Sequence, residues 1–559
     1  MTEFFQEGPK LGNQYEEDGV LKSYLKRVLP KTLLEEIEQG LRHLGGRVAT
    51  DILSLGNSAE ANPPQHIPYD PWGQRIDEIK VCDAWKELER ISASEKLVAT
   101  AYERKHGAFS RVHQFAKVYL FGPSSAYYTC PLAMTDGAAR VIELYGNKDE
   151  RFQEVFRRLT TSEPSEFWTS GQWMTERTGG SDVGATSTVA RFENGQYHLY
   201  GTKWFTSATT SQVAMTLARM QGAPAGNKGL SLFLLELRDS SGALKNIQIN
   251  RLKDKLGTRA LPTAELTMNG TPAYLVGSYG NGVRKISSIL NITRVWNSCE
   301  AVSSMRRGIA LARNYSLKRQ AFGKLLAEHP LHLETLANLE VRFRGAFYLM
   351  FRLAELLGKE ELGEATHEES ATLRLLTPVV KLYTAKQCIA VVSEILECFG
   401  GAGYVEDTGL PRLLRNSQVL SIWEGTTNIL SLDMLRAMQS EGTLKLFFDN
   451  IERQIIDVQE PELKPSVEAV GCACINIRSY LNRLGNYSAE FLEAGARNLA
   501  YSFARIYGAS LLIAQADWAL KNEKDRRSLI AAQRWCLNDL VRLSDADDDW
   551  RRKSRNLAL

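Results

Sequence analysis

The stretch TSTVARFENGQYHLYGTKWF, residues 186–205, decides how the rest of the chain is interpreted. Apolar and polar residues alternate along it on both sides of Asn194-Gly195, which is the period of a half-buried β-strand. Asn-Gly between two alternating runs is the strongest short signal for a two-residue hairpin turn. The sequence therefore predicts a β-hairpin that begins near Thr186.

More strands are predicted after this hairpin. The runs SLFLLEL (231–237), IQINRL (247–252) and AELTMNG (264–270) have the composition of buried or half-buried strands. The pair Asn269-Gly270 predicts a second tight turn. These segments together predict a small antiparallel β-sheet or barrel in the middle of the chain.

Helical patterns precede the predicted sheet. In SYLKRVLPKTLLEEIEQGLRHL (23–44) and DAWKELERISASEKLVATAYE (83–103), apolar residues recur at spacings of three and four. Between them, NPPQHIPYDPWGQR (62–75) is so rich in Pro and Gly that we expect a long ordered loop there. The first part of the chain is therefore predicted to be a helical domain.

Helical patterns also follow the sheet. The segments RVWNSCEAVSSMRRGIALARNYSLKRQ (294–320) and LRLLTPVVKLYTAKQCIAVVSEILECF (373–399) are long enough to favour a packed helical bundle. A chain of 559 residues has room for several domains. We predict an N-terminal helical domain (1–165), a β-barrel domain (166–280), a C-terminal helical bundle (281–440) and an additional helical domain (441–559).

Charge and composition exclude several classes of function. The chain carries 68 basic and 65 acidic residues, and in residues 441–559 the two kinds are equal in number, so DNA binding is not expected. The eight cysteines lack the paired spacing of a zinc site, so no metal is expected. The sequence lacks the run of about 18 apolar residues that a membrane span needs. The acidic start, residues 1–19, is unlike a leader, so we expect a cytoplasmic protein, or a protein of the mitochondrial matrix if a leader has been removed.

Two motifs near the predicted sheet could hold a flat ligand. In MTERTGGSD (174–182), a Gly-Gly pair permits close backbone approach, and Thr and Ser offer hydroxyls and amides to ring heteroatoms. In GTKWFTSA (201–208), Trp204 and Thr206 alternate onto one face of a strand, where an indole could lie against a flavin ring. Taken alone, the first motif also fits an ordinary turn and the second fits core packing.

A third motif, YSLKRQAFGK (315–324), ends a long helical segment. The spacing of Arg319 and Phe322 predicts that they share a helical face, with Gly323 ending the last turn. Such a pair suits a diphosphate and an adenine. An exposed Arg beside a capping Gly is the alternative interpretation.

The fourth motif lies within residues 399–429. GGAGYV resembles a dinucleotide-binding loop, but it follows a helix and lacks the strand that such a loop requires. The sharper feature is Glu424, which stands between Trp423 and Gly425 just before an amphipathic helix capped by a threonine. A carboxylate beside an indole suits a general base, whereas an acid that complements a helix dipole is the alternative.

These four motifs, in this order, resemble the acyl-CoA dehydrogenase family. Resemblance to its AidB-like branch covers nearly the whole chain, through NPPQ, YDPWGQRIDEI, RLKDKLG, LPRLLR and SIWEGTTNILSLDMLR. The resemblance implies an α+β, mainly α fold. Its expected parts are an N-terminal helical bundle, a small central antiparallel β-barrel, a C-terminal four-helix bundle and an extra C-terminal helical domain.

The resemblance also implies roles for individual residues. Glu424 would be the catalytic base, and Arg294, with Ser181 and Glu424, would bind the substrate. Residues expected to bind the cofactor FAD are Met174, Thr175, Gly180, Ser181, Trp204, Thr206, Arg319, Phe322, Gly400, Gly401, Thr426 and Asn428. Of these, Arg319, Phe322 and the two glycines at 400 and 401 would reach the FAD of a neighbouring subunit.

The implied reaction is the oxidation of a fatty acyl-CoA to the 2,3-enoyl-CoA. Glu424 would take the α-proton and the flavin N5 the β-hydride, in a homotetramer built as a dimer of dimers and served by an electron-transfer flavoprotein. Arg415-Asn416, Glu397 and Pro330 depart from the common pattern of the dehydrogenases. An acyl-CoA-binding or regulatory flavoprotein with little turnover, a DNA-associated flavoprotein and an acyl-CoA oxidase are the alternatives.

Overall fold

The computed structural model describes residues 6–146, 149–484, 488–543 and 548–559. The chain forms two compact units. One contains residues 1–43, 106–119 and 297–559, and the other contains residues 44–105 and 120–296. Each unit is described by itself below.

The part of the chain before the sheet is helical, as predicted. Its first helix begins where the Asp18 carboxylate accepts hydrogen bonds from the amides of Val20 and Leu21. It ends at an extended Leu29, as is usual for a residue that precedes Pro. The helices are α1 (Gly19–Val28), α2 (Lys31–Arg47), α3 (Asp51–Ala61), α4 (Asp83–Ser94), α5 (Ala99–Glu103), α6 (Phe109–Phe121), α7 (Thr129–Tyr145) and α8 (Glu150–Thr160).

The prediction of a long loop at residues 62–75 was wrong. Strands β1 (Gln65–Tyr69) and β2 (Arg75–Lys80) pair there as an antiparallel hairpin. The Asp70 carboxylate accepts hydrogen bonds from the amides of Trp72 and Gln74, so the side chain itself closes the turn. Backbone hydrogen bonds from Asp70 to Gln74 and from Gly73 to Asp70 also close this turn, so the proline-rich composition did not prevent a hairpin.

The central sheet is a barrel, as expected. Its strands are β3 (Ser170–Trp173), β4 (Val189–Glu193), β5 (Gln196–Ser207), β6 (Val213–Met220), β7 (Leu230–Glu236), β8 (Ile247–Leu252) and β9 (Thr263–Leu275). The strands run in the order β6-β4-β5-β9-β7, and β7 pairs with β6 again, which closes the ring. All of these pairings are antiparallel except that of β4 with β6, and β3 also pairs with β6 in parallel.

Only one of the two predicted Asn-Gly turns is a turn. Asn194 and Gly195 have φ of 51° and 82° and connect β4 to β5, which confirms the first hairpin. Asn269-Gly270 lies inside the continuous strand β9, so the second turn was wrong. Gly270, with φ of 80°, is the extra residue of a bulge where β9 pairs with β5.

Strand β6 shows how the barrel is packed. Ala214 and Ala218 belong to a buried cluster with Trp173 and Phe233. The alternate residues of β6 pack instead against helices α7 and α8, in a second cluster that contains Val213, Met215, Leu217, Ile142, Phe152 and Leu159. The strand is therefore covered on both faces, which is why its sequence is apolar without alternation.

The other unit is built on long helices. Helix α9 (Gly282–Ser316) contributes its second half to this unit and is followed by the short strands β10 (Gln320–Ala321) and β11 (Lys324–Leu325). The helices that follow are α10 (Pro330–Leu362), α11 (His367–Cys398), α12 (Leu410–Val419) and α13 (Thr427–Met438). Of the described helices, α11 alone could cross a bilayer by length and composition, and 78% of its most apolar stretch is buried within the protein.

The last part of the chain shares its core with these helices. It consists of α14 (Thr443–Ile455), α15 (Lys464–Leu484), α16 (Ala489–Asn522), α17 (Arg526–Leu537) and α18 (Asp548–Ala558). Trp535 of α17 is 2% exposed, and its indole NH donates to the carbonyl of Arg505. A Cβ on Gly345 of α10 would stand 2.1 Å from the Trp535 ring, so a glycine is required there. The indole therefore links α17 to both α10 and α16.

Replacing this indole tests whether the final helices stabilise the bundle. Trp535→Ala should lower the free energy of unfolding by about 3–5 kcal/mol, because it leaves a cavity between three helices. Ile456→Ala is the control, since Ile456 is 73% exposed and its loss should change stability by no more than about 0.5 kcal/mol. Urea unfolding followed by tryptophan fluorescence and circular dichroism measures both. Equal stability of the two variants would contradict this packing.

Candidate active site

The first two predicted motifs meet in the barrel unit. The amide of Trp204 in β5 donates to the carbonyl of Thr175, at 2.9 Å. The loop after β3 then folds back through a bridge between Glu176 and Gly179. Met174, at the start of the loop, packs against the buried cluster behind the barrel. The loop and the strand are therefore one continuous surface.

The glycines of the loop are needed for steric reasons. A Cβ on Gly180 would stand 2.3 Å from the Thr175 hydroxyl oxygen, and Gly179 has φ of 117°. Gly180 and Ser181 are exposed, so their backbone and the Ser181 hydroxyl are accessible to a ligand. This open backbone beside hydroxyl groups fits the edge of a flat heteroaromatic ring.

The two strand residues differ in their surroundings. The Thr206 hydroxyl is buried and donates to the carbonyl of Ala264 at 2.8 Å, so only its lone pairs are left for a ligand. Trp204 is partly exposed, and the ammonium of Lys253 lies 3.9 Å from its ring centroid. The Arg177 guanidinium lies 5.1 Å from the same ring. The indole is thus held by cations at the surface rather than buried in the core.

A buried ion pair beneath the loop was not predicted. Lys203 is fully buried, and its ammonium lies 2.8 Å from the carboxylate of Glu176. That carboxylate also accepts hydrogen bonds from the amides and hydroxyls of Ser187 and Thr188. Burial by itself would raise the pKa of Glu176, but the Lys203 charge and these hydrogen bonds outweigh it and lower the pKa to about 2. The pair ties the loop to β5.

On the other unit, Glu424 lies in the turn between α12 and α13. It is half-buried, and its backbone is left-handed, with φ of 55°. A left-handed non-glycine residue costs about 1–2 kcal/mol, so the surroundings must impose this conformation. Gly425 follows with φ of 102°. The cap position of α13 is taken by a threonine, Thr426, although its hydroxyl makes no capping hydrogen bond.

Two side chains from neighbouring helices hold this turn. The ammonium of Lys381 in α11 donates to the carbonyls of Trp423 and Gly425, at 2.6 and 2.7 Å. The indole NH of Trp423 donates to the side-chain oxygen of Asn297 in α9. Neither Lys381 nor Asn297 was predicted as a site residue. The only sequence signal for Lys381 was that it is a lysine inside an otherwise apolar helical stretch.

The helical prediction for Arg319 and Phe322 was wrong. Helix α9 ends at Ser316, and Phe322 lies with Gly323 at the tip of the small hairpin of β10 and β11. The two tip residues have φ of 50° and 80°. The Phe322 side chain is 97% exposed, whereas the Arg319 guanidinium donates to the side chain of Gln6. A two-residue turn, rather than a helix end, therefore presents Phe322 to solvent.

The remaining predicted residues fall into both units. Gly400 and Gly401 are exposed in a 3-10 turn after α11, which agrees with rejecting a dinucleotide-binding fold. Asn428 is exposed in the first turn of α13. Arg294 is 8% exposed in the half of α9 that belongs to the barrel unit. The structure thus forms one group around β5 and another that contains Glu424.

Family models match the chain from end to end. They are the AidB N-terminal domain over residues 9–163, the acyl-CoA dehydrogenase middle domain over 171–271 and its C-terminal domain over 280–439. The fourth, the acyl-CoA dehydrogenase 11 C-terminal domain-like model, matches 442–558. The class defined by fold and site is therefore that of the acyl-CoA dehydrogenases.

Individual relatives define the branch. Acyl-CoA dehydrogenase family member 11 of Caenorhabditis elegans is 44% identical over 95% of this chain and 88% of its own. Putative acyl-CoA dehydrogenase AidB of Escherichia coli is 32% identical over 75% of this chain and 77% of its own. The chain belongs to the acyl-CoA dehydrogenase family, in its AidB-like branch.

Solved structures confirm the expected fold. Caenorhabditis elegans ACDH-11 in complex with C11-CoA matches with a TM-score of 0.96 at 42% identity, over 100% of this chain and 97% of that one. An acyl-CoA dehydrogenase from Bacillus anthracis complexed with FAD matches with a TM-score of 0.73 at 19% identity, over 94% of this chain and 89% of that one. At this identity the match shows the fold alone.

The ion pair under the barrel loop predicts a pH dependence. Because the pKa of Glu176 is below its ordinary value of 4.5, its contribution to stability should be complete above about pH 4.5 and should be lost as the pH falls toward 2. Glu176→Gln should lack this acid-sensitive contribution to stability. It should also lower the free energy of unfolding by about 3–5 kcal/mol at pH 7, since Lys203 loses its partner.

Unfolding free energies measured between pH 3 and 7 test this expectation. Glu193→Gln is the control, because Glu193 is an exposed carboxylate at the end of β4. If Glu176→Gln and the unchanged protein lose stability in parallel as the pH falls, the ion pair does not have the assigned role.

Proposed function

We propose that this protein oxidises a fatty acyl-CoA to the 2,3-enoyl-CoA, with Glu424 as the base that takes the α-proton. One observation carries the proposal. Glu424 is half-buried and lies in a strained turn before α13, where Lys381 holds the carbonyls of both neighbouring residues, at the position that matches the base of the family. Such strain is typical of functional sites, where the surrounding structure pre-organises a reacting group.

The barrel loop fits a flavin. The missing Cβ at Gly180, the open backbone around Ser181 and the surface indole of Trp204 together offer hydrogen bonds and a flat contact. These residues, with Met174 and Thr175, would hold FAD without a covalent bond. When bound, FAD supplies an acceptor for the β-hydride.

Glu424 carries out the step that the protein's own side chains supply, which is removal of the α-proton. An α-proton is only weakly acidic, so the thioester carbonyl must be polarised, and the amide of Glu424 is the expected donor. A positioned base contributes roughly 10²–10⁴-fold to such a proton transfer. Fixing the backbone on both sides of Glu424 restricts where its carboxylate can lie, which favours one reactive geometry.

The substrate class is proposed from the relative. The structure of ACDH-11 is a complex with C11-CoA, and it matches this chain along its full length. We extend fatty acyl-CoA binding to this chain on that ground. Arg294, a cation on α9, is the proposed partner for the nucleotide part of CoA.

A homotetramer and an electron-transfer flavoprotein complete the proposal. Phe322 is 97% exposed at the tip of a hairpin, so its ring is available to a neighbouring subunit. Phe322, Arg319 and the exposed Gly400-Gly401 turn would reach the FAD of a neighbouring subunit. Reduced flavin would then pass its electrons to the separate flavoprotein.

Glu424→Gln tests the base directly. The variant keeps the volume and the backbone amide, so acyl-CoA should still bind and perturb the flavin spectrum. Flavin reduction should slow by at least about two orders of magnitude, because proton acceptance is lost. Anaerobic stopped-flow reduction of the FAD-loaded protein by a panel of saturated acyl-CoAs measures the rates. Glu441→Gln, at an exposed carboxylate beyond α13, is the control and should react normally.

Two outcomes would change the proposal. Equal reduction rates in Glu424→Gln and the unchanged protein would remove Glu424 from the mechanism. If every acyl-CoA binds to the unchanged protein without reducing its flavin, the acyl-CoA-binding or regulatory alternative replaces the dehydrogenase.

Phe322→Ala tests the contact between subunits. The unchanged protein should be a tetramer by light scattering, and the variant should bind FAD at least about tenfold more weakly, as expected when a buried aromatic anchor of an interface is truncated. Leu537→Ala, which removes another side chain that is 85% exposed, should leave FAD binding unchanged. A monomer that retains FAD would refute the shared site.

A further inference from the structure

Lys381 is a buried lysine whose side chain points at the turn that carries Glu424. It lies in the middle of α11 and is 0% exposed. Its ammonium donates to the carbonyls of Trp423 and Gly425, the residues immediately before and after Glu424.

The geometry of these two contacts constrains the residue between them. Two carbonyl oxygens can converge on one nitrogen only if the intervening backbone curves around it. The left-handed φ of Glu424, 55°, and the φ of Gly425, 102°, are the conformations that produce this curve. Without a cation, the two converging carbonyl dipoles would repel each other and would need other donors.

A second helix holds the same turn from the side of the tryptophan. The indole NH of Trp423 donates to the side-chain oxygen of Asn297 in α9, and Asn297 is 4% exposed. The indole nitrogen can only donate, so the atom of the Asn297 amide that faces it must be the oxygen, which accepts. Asn297 fixes the ring that precedes Glu424, whereas Lys381 fixes the carbonyls of the residues before and after Glu424.

From this arrangement we propose that Lys381 is the positioning residue for Glu424, holding its backbone so that its carboxylate points consistently at the substrate. The proposal rests on the role of Glu424 as the base. Lys381 acts through hydrogen bonds to the turn and does not itself exchange a proton with the substrate. If Lys381 only supplied hydrogen bonds to buried carbonyls, its loss would lower the stability of the protein without specifically slowing the reaction.

Lys381→Met separates these two roles, because it keeps much of the side-chain length and removes the donors. In the FAD-loaded protein, the rate constant of flavin reduction by acyl-CoA should fall about 10²-fold, the effect of a misplacement of about 1 Å. The dissociation constant of acyl-CoA, taken from the perturbed flavin spectrum, should change by less than about threefold, because ground-state binding does not require the base.

The double variant Lys381→Met/Glu424→Gln shows whether Lys381 acts through Glu424. If it does, the second substitution should add less than about threefold to the loss caused by Glu424→Gln, because residues that act as a unit are not additive. Losses that multiply would show that Lys381 does not act through the Glu424 carboxylate, and this would overturn the proposal.

Hydrogen exchange provides a test that needs no turnover. In the protein without FAD, Lys381→Met should speed amide exchange at least about tenfold in residues 422–427, with little change in the barrel. Lys386→Met is the control, because Lys386 is partly exposed on the same helix and roughly 140° around its axis. Unchanged exchange in the turn, or equal effects of the two variants, would refute the positioning role.

These readouts distinguish two kinds of failure. If no acyl-CoA reduces the flavin of the unchanged protein but exchange in the turn rises in Lys381→Met, the proposed function fails while Lys381 still holds the turn. If the unchanged protein is reduced and Lys381→Met is reduced equally fast, the positioning role fails and the proposed function stands.

Discussion

The barrel loop and the turn that carries Glu424 each contact a lysine ammonium that is buried away from water. In the barrel unit, Lys203 is fully buried and pairs with Glu176, in the loop that carries Thr175 and Gly180. In the helical unit, Lys381 is fully buried and holds the carbonyls on both sides of Glu424. A buried ammonium without partners is strongly destabilising, so the acceptors around it must take fixed positions. That requirement gives two irregular segments a defined shape.

An unfavourable backbone conformation and a close backbone approach lie in these two irregular segments. Glu424 is left-handed although it is not glycine, and the loop before β4 brings Gly180 so close to Thr175 that no side chain would fit. Local preferences are commonly violated at functional sites, and the cost is met by packing elsewhere. In the barrel unit this packing comes from the closed barrel, and in the unit that contains Glu424 it comes from long buried helices. A rigid frame allows a short turn to keep an unfavourable backbone angle.

The helices after residue 440 belong to this frame in the unit that contains Glu424. The Trp535 indole fills the space that glycines leave on α10 and α16. The buried pair of Arg111 and Glu361, joined by two hydrogen bonds, similarly connects α6 to α10. The Trp535 ring also lies 6.2 Å from the ring of Tyr383 on α11, the helix from which Lys381 reaches the turn. The additional helical segment is thus part of the same core as the bundle.

The sequence by itself determined the features that depend on neighbouring residues. The order of helices and strands, the Asn194-Gly195 hairpin and the motifs that identify the family can all be read locally, because period and turn chemistry act over a few residues. Asn269-Gly270 has the same local signal as the true turn, but β5 and β8 pair along β9 and convert it into a bulge. Phe322 likewise fitted a helix by spacing, yet it lies at the tip of a hairpin.

Only the tertiary structure decided which charged residues are buried and what they hold. Lys203 and Glu176 are 27 residues apart, and Lys381 and Trp423 are 42 apart, so no local pattern relates them. Burial of a lysine becomes favourable only after the barrel or the bundle has formed around its partners. The position of Glu424 before a helix could therefore be predicted from sequence. Its left-handed backbone could not, because that conformation is imposed by a side chain from another helix.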